Sequence, residues 1–175
     1  MSNQQTLSQK DREKKQFVFE IKSYSEMALA EIKPQDLHLD YYQVVMKKIY
    51  RKYANKVIQE RGLVRDIKNI KMSRDGEISV NGNVKIRVKM ELSIISLPKK
   101  EEIFEAVIIS VTHSGYYLYP SVFKIEERLP LEIFILKEKN EKAMTVGEKM
   151  LVSVATCKYT ASQYNALVKR SLLSV

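Results

Sequence analysis

The side chains that most often carry chemistry are scarce and scattered in this chain. There are two histidines, His38 and His113, and one cysteine, Cys157. The histidines stand far apart, and neither has Cys or carboxylate neighbours at metal-ligand spacing. Cys157 has no sequence context of a Cys–His nucleophile and reads as a small half-buried side chain. The glycine-rich phosphate loop, the dinucleotide fingerprint, the paired histidines of zinc proteases and the nucleophile elbow of hydrolases are all missing. Carboxylates are plentiful, but nearly all stand beside Lys or Arg, the pattern of a solvated surface rather than of a shifted acid pair. No catalytic residue, metal site or cofactor is therefore expected. A pocket holding a strongly perturbed carboxylate or His38 would revive an enzymatic reading.

What remains as chemistry is charge. The formal net charge is +9. An excess of this size raises encounter rates with polyanions such as nucleic acid. Pairing with an acidic protein accounts for it equally well, so the placement of the cations matters more than their number.

The elements that must position those cations come next. The chain has 175 residues, 45% apolar and 29% charged, which fits one ordinary globular domain or two small ones. No run approaches the roughly 20 apolar residues of a membrane span, so no membrane partner is expected. The opening MSNQQTLSQKDREKKQ lacks an apolar signal core, so secretion is not expected, and a single cysteine suits a reducing compartment.

Residues 1–16 read as a disordered tail. Phe17, Phe19 and Ile21 alternate with polar or smaller residues as in a short strand. Pro34 punctuates, Asp36 and Asp40 are candidate N-caps, and Tyr42, Val45, Met46, Ile49 and Tyr53 form one helical stripe over Tyr41 to about Asn55. That stripe reads as core, with Gly62 as the helix stop. Leu63–Met72 reads as a strand, Arg74-Asp75-Gly76 as a turn and Asn81-Gly82 as a hairpin. Val84, Ile86, Val88, Met90, Leu92 and Ile94 then hold one face of a long strand, opposite Lys85, Arg87, Lys89, Glu91 and Ser93. Beyond Pro98, strand candidates recur at Val107–Val111, Tyr116–Tyr119, Val122–Ile125, Leu131–Leu136, Met150–Val154 and Ala166–Val168. The reading is an α+β chain: a helix packed on antiparallel strands over 17–97, then an OB-type β-barrel over 98–175.

This order of elements resembles the seventh subunit of eukaryotic RNA polymerase II, its archaeal stalk counterpart, and their relatives in other polymerases and large DNA viruses. The resemblance covers about Phe17 to Leu172 and rests on many weak positions in the right order. IKPQDLHLDYYQVVMKKIYRKYANK resembles the family's opening helix region. KIRVKMELSIISLPKKEEIFEAVIISVTHSGYYL resembles the strand that leaves the first domain and enters the barrel. FKIEERLP and GEKMLVSVATCKYTASQYNALVKRS resemble later barrel strands. Glu101 and Ala106 stand where the family often has Gly, and the loop after Tyr119 lacks its usual Gly, which marks a divergent, viral-like member.

The resemblance implies an RNP-like tip domain that docks on a polymerase core and a barrel near the RNA exit. The core-contact candidates it implies are Pro34, Leu37, Arg74, Gly76, Asn81 and Gly82, although without it these are ordinary hairpin turns. The RNA candidates are Tyr116, Tyr117, Tyr119, Lys124, Lys149, Lys158, Tyr159 and Lys169, since OB barrels combine cations with stacking rings. Strand alternation turns some of these tyrosines inward, with Tyr117 opposite Tyr116. The implied partners are the large polymerase subunits, a fourth-subunit-like stalk partner and nascent single-stranded RNA. The implied location is the nucleus or, for a viral member, the virion or viral factory. The competing reading is a free-standing OB-type RNA-binding protein such as a translation factor.

Overall fold

The computed structural model describes residues 16–138, 143–160 and 163–171. The tail expected over 1–16, except for Gln16, and part of the Lys137–Lys142 loop lie outside them. The chain is mixed α+β and mostly strands. It divides into two compact units, Glu20–Ser96 and Leu97 onward, the latter taking in the segment that ends at Phe19.

The Glu20–Ser96 unit contains β1 (Ile21–Ile32), α1 (Tyr41–Tyr53), β2 (Val57–Ile58), β3 (Gly62–Ile78) and β4 (Val84–Ile95). The strands form an antiparallel sheet in the order β1-β4-β3-β2. The alternation read over 84–94 sets its centre. Ile86, Val88, Met90, Leu92 and Ile94 are all buried, and every residue of β1 finds a partner on β4, from Ile21 opposite Ile95 to Ile32 opposite Val84. The helix begins where Asp40 accepts a 2.9 Å hydrogen bond from the Tyr42 N–H through its carboxylate. It lays Val45, Ile49 and Tyr53 into a core shared with Ala28, Ala30, Ile32, Val64 and Ile67. Each large aliphatic side chain buried this way contributes about 1.5–3 kcal/mol against the chain entropy of ordering it. The helical stripe is therefore core, as its spacing predicts.

Three expectations are decided in this unit. Gly62 does not stop the helix, which already ends at Tyr53. It opens β3 instead, with φ +127°, and a Cβ there would meet the Ile95 carbonyl oxygen at 2.0 Å. Arg74-Asp75-Gly76 is not a turn. β3 runs through it, and the stretch from Met72 to Gly76 faces only Val88 to Ile86 on β4. The surplus forms a bulge in which the Ser73 hydroxyl donates to the Asp75 carbonyl at 2.8 Å. The Asn81-Gly82 hairpin does form, with Gly82 at φ +77° and its N–H donating to the Ser79 carbonyl at 2.8 Å.

The second unit is a closed barrel of β5 (Ile103–Val111), β6 (Gly115–Pro120), β7 (Leu131–Leu136), β8 (Lys149–Tyr159) and β9 (Tyr164–Arg170). The strands follow one another around it in the order β5-β6-β7-β9-β8. All pairs are antiparallel except β7 with β9, where Leu131 lies opposite Tyr164 and Ile135 opposite Val168. Phe104, Ala106, Ile108, Leu118, Ile133, Val152, Val154 and Val168 are among the buried residues. Val122–Ile125 is not a strand; a turn and a short 3-10 segment, Ile125–Glu127, follow β6. Phe17 and Phe19 precede β1 rather than opening it. The Phe17 N–H donates to the Ile103 carbonyl at 2.7 Å, and the Phe19 ring meets Phe17, Phe104 and Phe123 edge-on at 4.9, 5.6 and 5.2 Å. Aromatic edge contacts outweigh the local alternation and attach this segment to the barrel unit.

Candidate nucleic-acid interface

A strand turns successive side chains to opposite faces, so on β6 Tyr116 lies on one face and Tyr117 and Tyr119 share the other. Tyr116 and Tyr119 are only 2% and 4% exposed. The Tyr116 hydroxyl accepts from the Met144 N–H at 3.3 Å, and that of Tyr119 from the Leu129 N–H at 3.2 Å. Both therefore leave the set of RNA candidates: each ring is buried and each hydroxyl engaged, that of Tyr119 by the connection between β6 and β7. Tyr117 points outward. Its partner on β7 is Phe134, with ring centroids 5.0 Å apart and planes at 58°.

The outward row continues across the barrel. Phe134 lies opposite Leu167 on β9, and Leu167 opposite Thr156 on β8. Beside it is a surface pocket of about 310 Å³ whose lining includes Phe134, Thr156, Lys158, Asn165 and Leu167. Lys158 lies opposite Asn165, two residues along from the Thr156–Leu167 pair, so it shares that face. Lys169 follows Leu167 at the same parity on β9 and is exposed. Two rings and two lysines on one convex sheet can stack bases and neutralise phosphates.

The other candidates do not join the row. Tyr159 packs on buried Tyr164, with centroids 5.2 Å apart. Burial first, and the neighbouring Cys157 second, push its phenol up to about 12. Lys149 lies 3.2 Å from Glu105. The Ser121 side chain, and then Lys149 itself, hold the Glu105 carboxyl below its usual range. Lys124 is exposed in the loop between β6 and β7.

Phe134 and Leu167 were not among the sequence candidates. Phe134 sits in Leu-Glu-Ile-Phe-Ile-Leu, where buried Ile133 and Ile135 flank it. Both parities there are largely apolar, so alternation alone does not say which side faces out.

In the other unit, Pro34 and Gly82 come together, with Pro34 Cγ 3.5 Å from where a Gly82 Cβ would lie. Leu37 and Asn81 are exposed in the same two turns. Ile78 and Val80, absent from the sequence candidates, are more exposed still and lead into that hairpin. Arg74 and Gly76 lie instead in the β3 bulge. Among the described residues, no three His, Cys, Asp or Glu side chains converge as a metal site would require, and no helix is long and apolar enough to cross a membrane.

Neither the protein-family models nor the curated proteins contain a match to this chain. Its functional reading rests on the geometry above.

Proposed function

We propose that the chain is a non-catalytic stalk subunit of a DNA-directed, multisubunit RNA polymerase, binding nascent RNA on the outer face of an OB-type barrel. The observation that carries this reading is the Tyr117–Phe134 pair on the second and third strands of the barrel. In an OB barrel that is the face that binds oligonucleotides. The order β5-β6-β7-β9-β8, with its single parallel pair, supports the OB assignment. The chain builds a helix-on-sheet unit before that barrel, the order of parts in the stalk-subunit family it resembles. A simple binding module has no need of that first unit, which is why the reading of a free-standing RNA-binding protein ranks second.

In this reading the RNP-like unit is the docking piece. Its exposed Pro34, Leu37, Ile78 and Val80 present an apolar edge to a large polymerase subunit, with Asn81 and Gly82 allowing close backbone approach. Lys158 and Lys169 hold RNA phosphates while Tyr117 and Phe134 accept bases. A fourth-subunit-like chain is the further stalk partner, and the nucleus or a viral factory the place of action.

Affinity purification of the tagged protein tests the proposal. Co-elution with the two largest polymerase subunits is the expected result. Co-elution with ribosomal proteins instead would overturn it in favour of a translation factor.

A further inference from the structure

The sheet of the Glu20–Ser96 unit has a face that α1 does not cover. On it, Glu31 is 3.7 Å from Lys85, Asp66 is 3.7 Å from Lys68, and Glu77 is paired with Arg87. Each of these acids takes one base. Lys71 and Lys89 are the exception. They are direct cross-strand partners on β3 and β4, and among the described residues neither has a carboxylate within ion-pair distance. Like charges placed directly opposite destabilise a sheet.

The opposed lysines border a pocket of about 260 Å³, lined also by Ser23, Ser25, Asn69 and Glu91. The backbone beside it is irregular. The pairing of β3 with β4 slips between Lys68 and Lys71, and Asn69, inside that slip, has φ +52°. Asparagine takes this left-handed conformation more readily than most non-glycine residues. The Asn69 amide donates to a Glu91 carboxylate oxygen at 2.7 Å, which engages the one acid in the pocket. Two ammonium groups against one carboxylate leave a single positive charge in a lining that also holds Ser23 and Ser25. Met27, in register with Lys89 on β1, is 68% exposed beside it.

We propose that this pocket holds a phosphodiester group of single-stranded nucleic acid, a second contact separate from the barrel face. The net charge matches a phosphodiester monoanion. The ammonium and hydroxyl donors suit its unesterified oxygens, and Met27 gives the adjoining sugar or base an apolar surface. Ammonium groups also pair with the carboxylates of an acidic peptide, and the competition below separates the two ligands. The inference does not depend on the polymerase assignment.

The test uses the full chain and a fluorescein-labelled oligo(U), with affinity measured across a salt series. Losing one single-strand phosphate contact flattens the slope of log K against log salt by about 0.7, roughly a fivefold weaker affinity at 0.1 M salt if the lines meet at 1 M. Lys71→Gln with Lys89→Gln is expected to show that change. Lys99→Gln with Lys100→Gln, which removes equal charge from exposed positions elsewhere, is expected to show less than half of it. Tyr117→Ala with Phe134→Ala is expected to lower affinity with the slope unchanged. A Lys71/Lys89 variant that keeps the parent slope overturns the inference, and if the ring variant still loses affinity the barrel reading stands alone. Poly-glutamate competing as well as oligo(U) at equal charge also overturns it. As a second readout, Lys71→Glu replaces the repulsion with an ion pair and should raise Tm by about 1–3 °C in the free protein; an unchanged or lower Tm sinks the claim that the opposed lysines are held at a cost.

Discussion

Adjacent tyrosines in the run Gly-Tyr-Tyr-Leu-Tyr do opposite jobs. Tyr116 and Tyr119 are buried, while Tyr117 is partly exposed against Phe134. Truncating Tyr117 or Phe134 to Ala is expected to weaken single-stranded RNA binding by about 1–3 kcal/mol per stacked base while leaving Tm little changed. Tyr116→Ala should cost about 3–5 kcal/mol of stability by chemical denaturation, the range for truncating a buried aromatic ring. A reversal of those two results would show that the outward row is not the binding surface. The packed pair Tyr159 and Tyr164 also sets an alkaline limit. The Tyr159 phenol is pushed up to about 12, chiefly by burial, and that of Tyr164 is raised further by the same cause. Above the ordinary tyrosine value of about 10, the unfolded chain loses these protons while the folded one keeps them. The stability these two phenols contribute is therefore complete below about pH 10 and falls as pH rises toward about 12. Denaturant midpoints measured across that window, with phenolate absorbance as the second probe, check the sign.

At the scale of elements, β4 and α1 follow from local pattern, and the irregular strands do not. In β1 the buried Ala28 and Ala30 alternate with exposed Met27 and Leu29, so both parities are apolar and no alternation shows in the sequence. In β3, Arg74-Asp75-Gly76 carries turn residues, yet the strand continues because β4 supplies pairing on both sides of the bulge. The helix start is local chemistry. Asp40→Ala removes the carboxylate that accepts the Tyr42 N–H and is expected to lower stability by about 0.5–2 kcal/mol, with Asp40→Asn retaining most of it. Equal losses for the two variants in urea melts would rule out a capping role.

At the scale of the whole molecule, the net charge of +9 is spread over both units rather than gathered in a tail, with Lys158 and Lys169 on the barrel and Lys71 and Lys89 on the open sheet. Binding to single-stranded RNA should therefore be general in sequence and steep in salt, with a slope of about −0.7 per phosphate neutralised. Comparable affinities for oligo(U), oligo(A) and mixed sequence, all falling together between low and high salt, are the expected result. Salt-insensitive binding to one sequence would count against it.

Residue order alone determined the features that depend on neighbours: the capped helix, the long alternating strand over 84–94, the Asn81-Gly82 hairpin and the β-rich second half. Those signals come from period and turn chemistry, which act over a few residues. The placement of Phe17 and Phe19, the parallel pairing of β7 with β9 and the closing of the barrel were decided by the tertiary structure. So were the choice of Tyr117 over Tyr116 and the meeting of Lys71 with Lys89. Each depends on which distant strand lies alongside, and a register that slips at a bulge leaves no local trace in the chain.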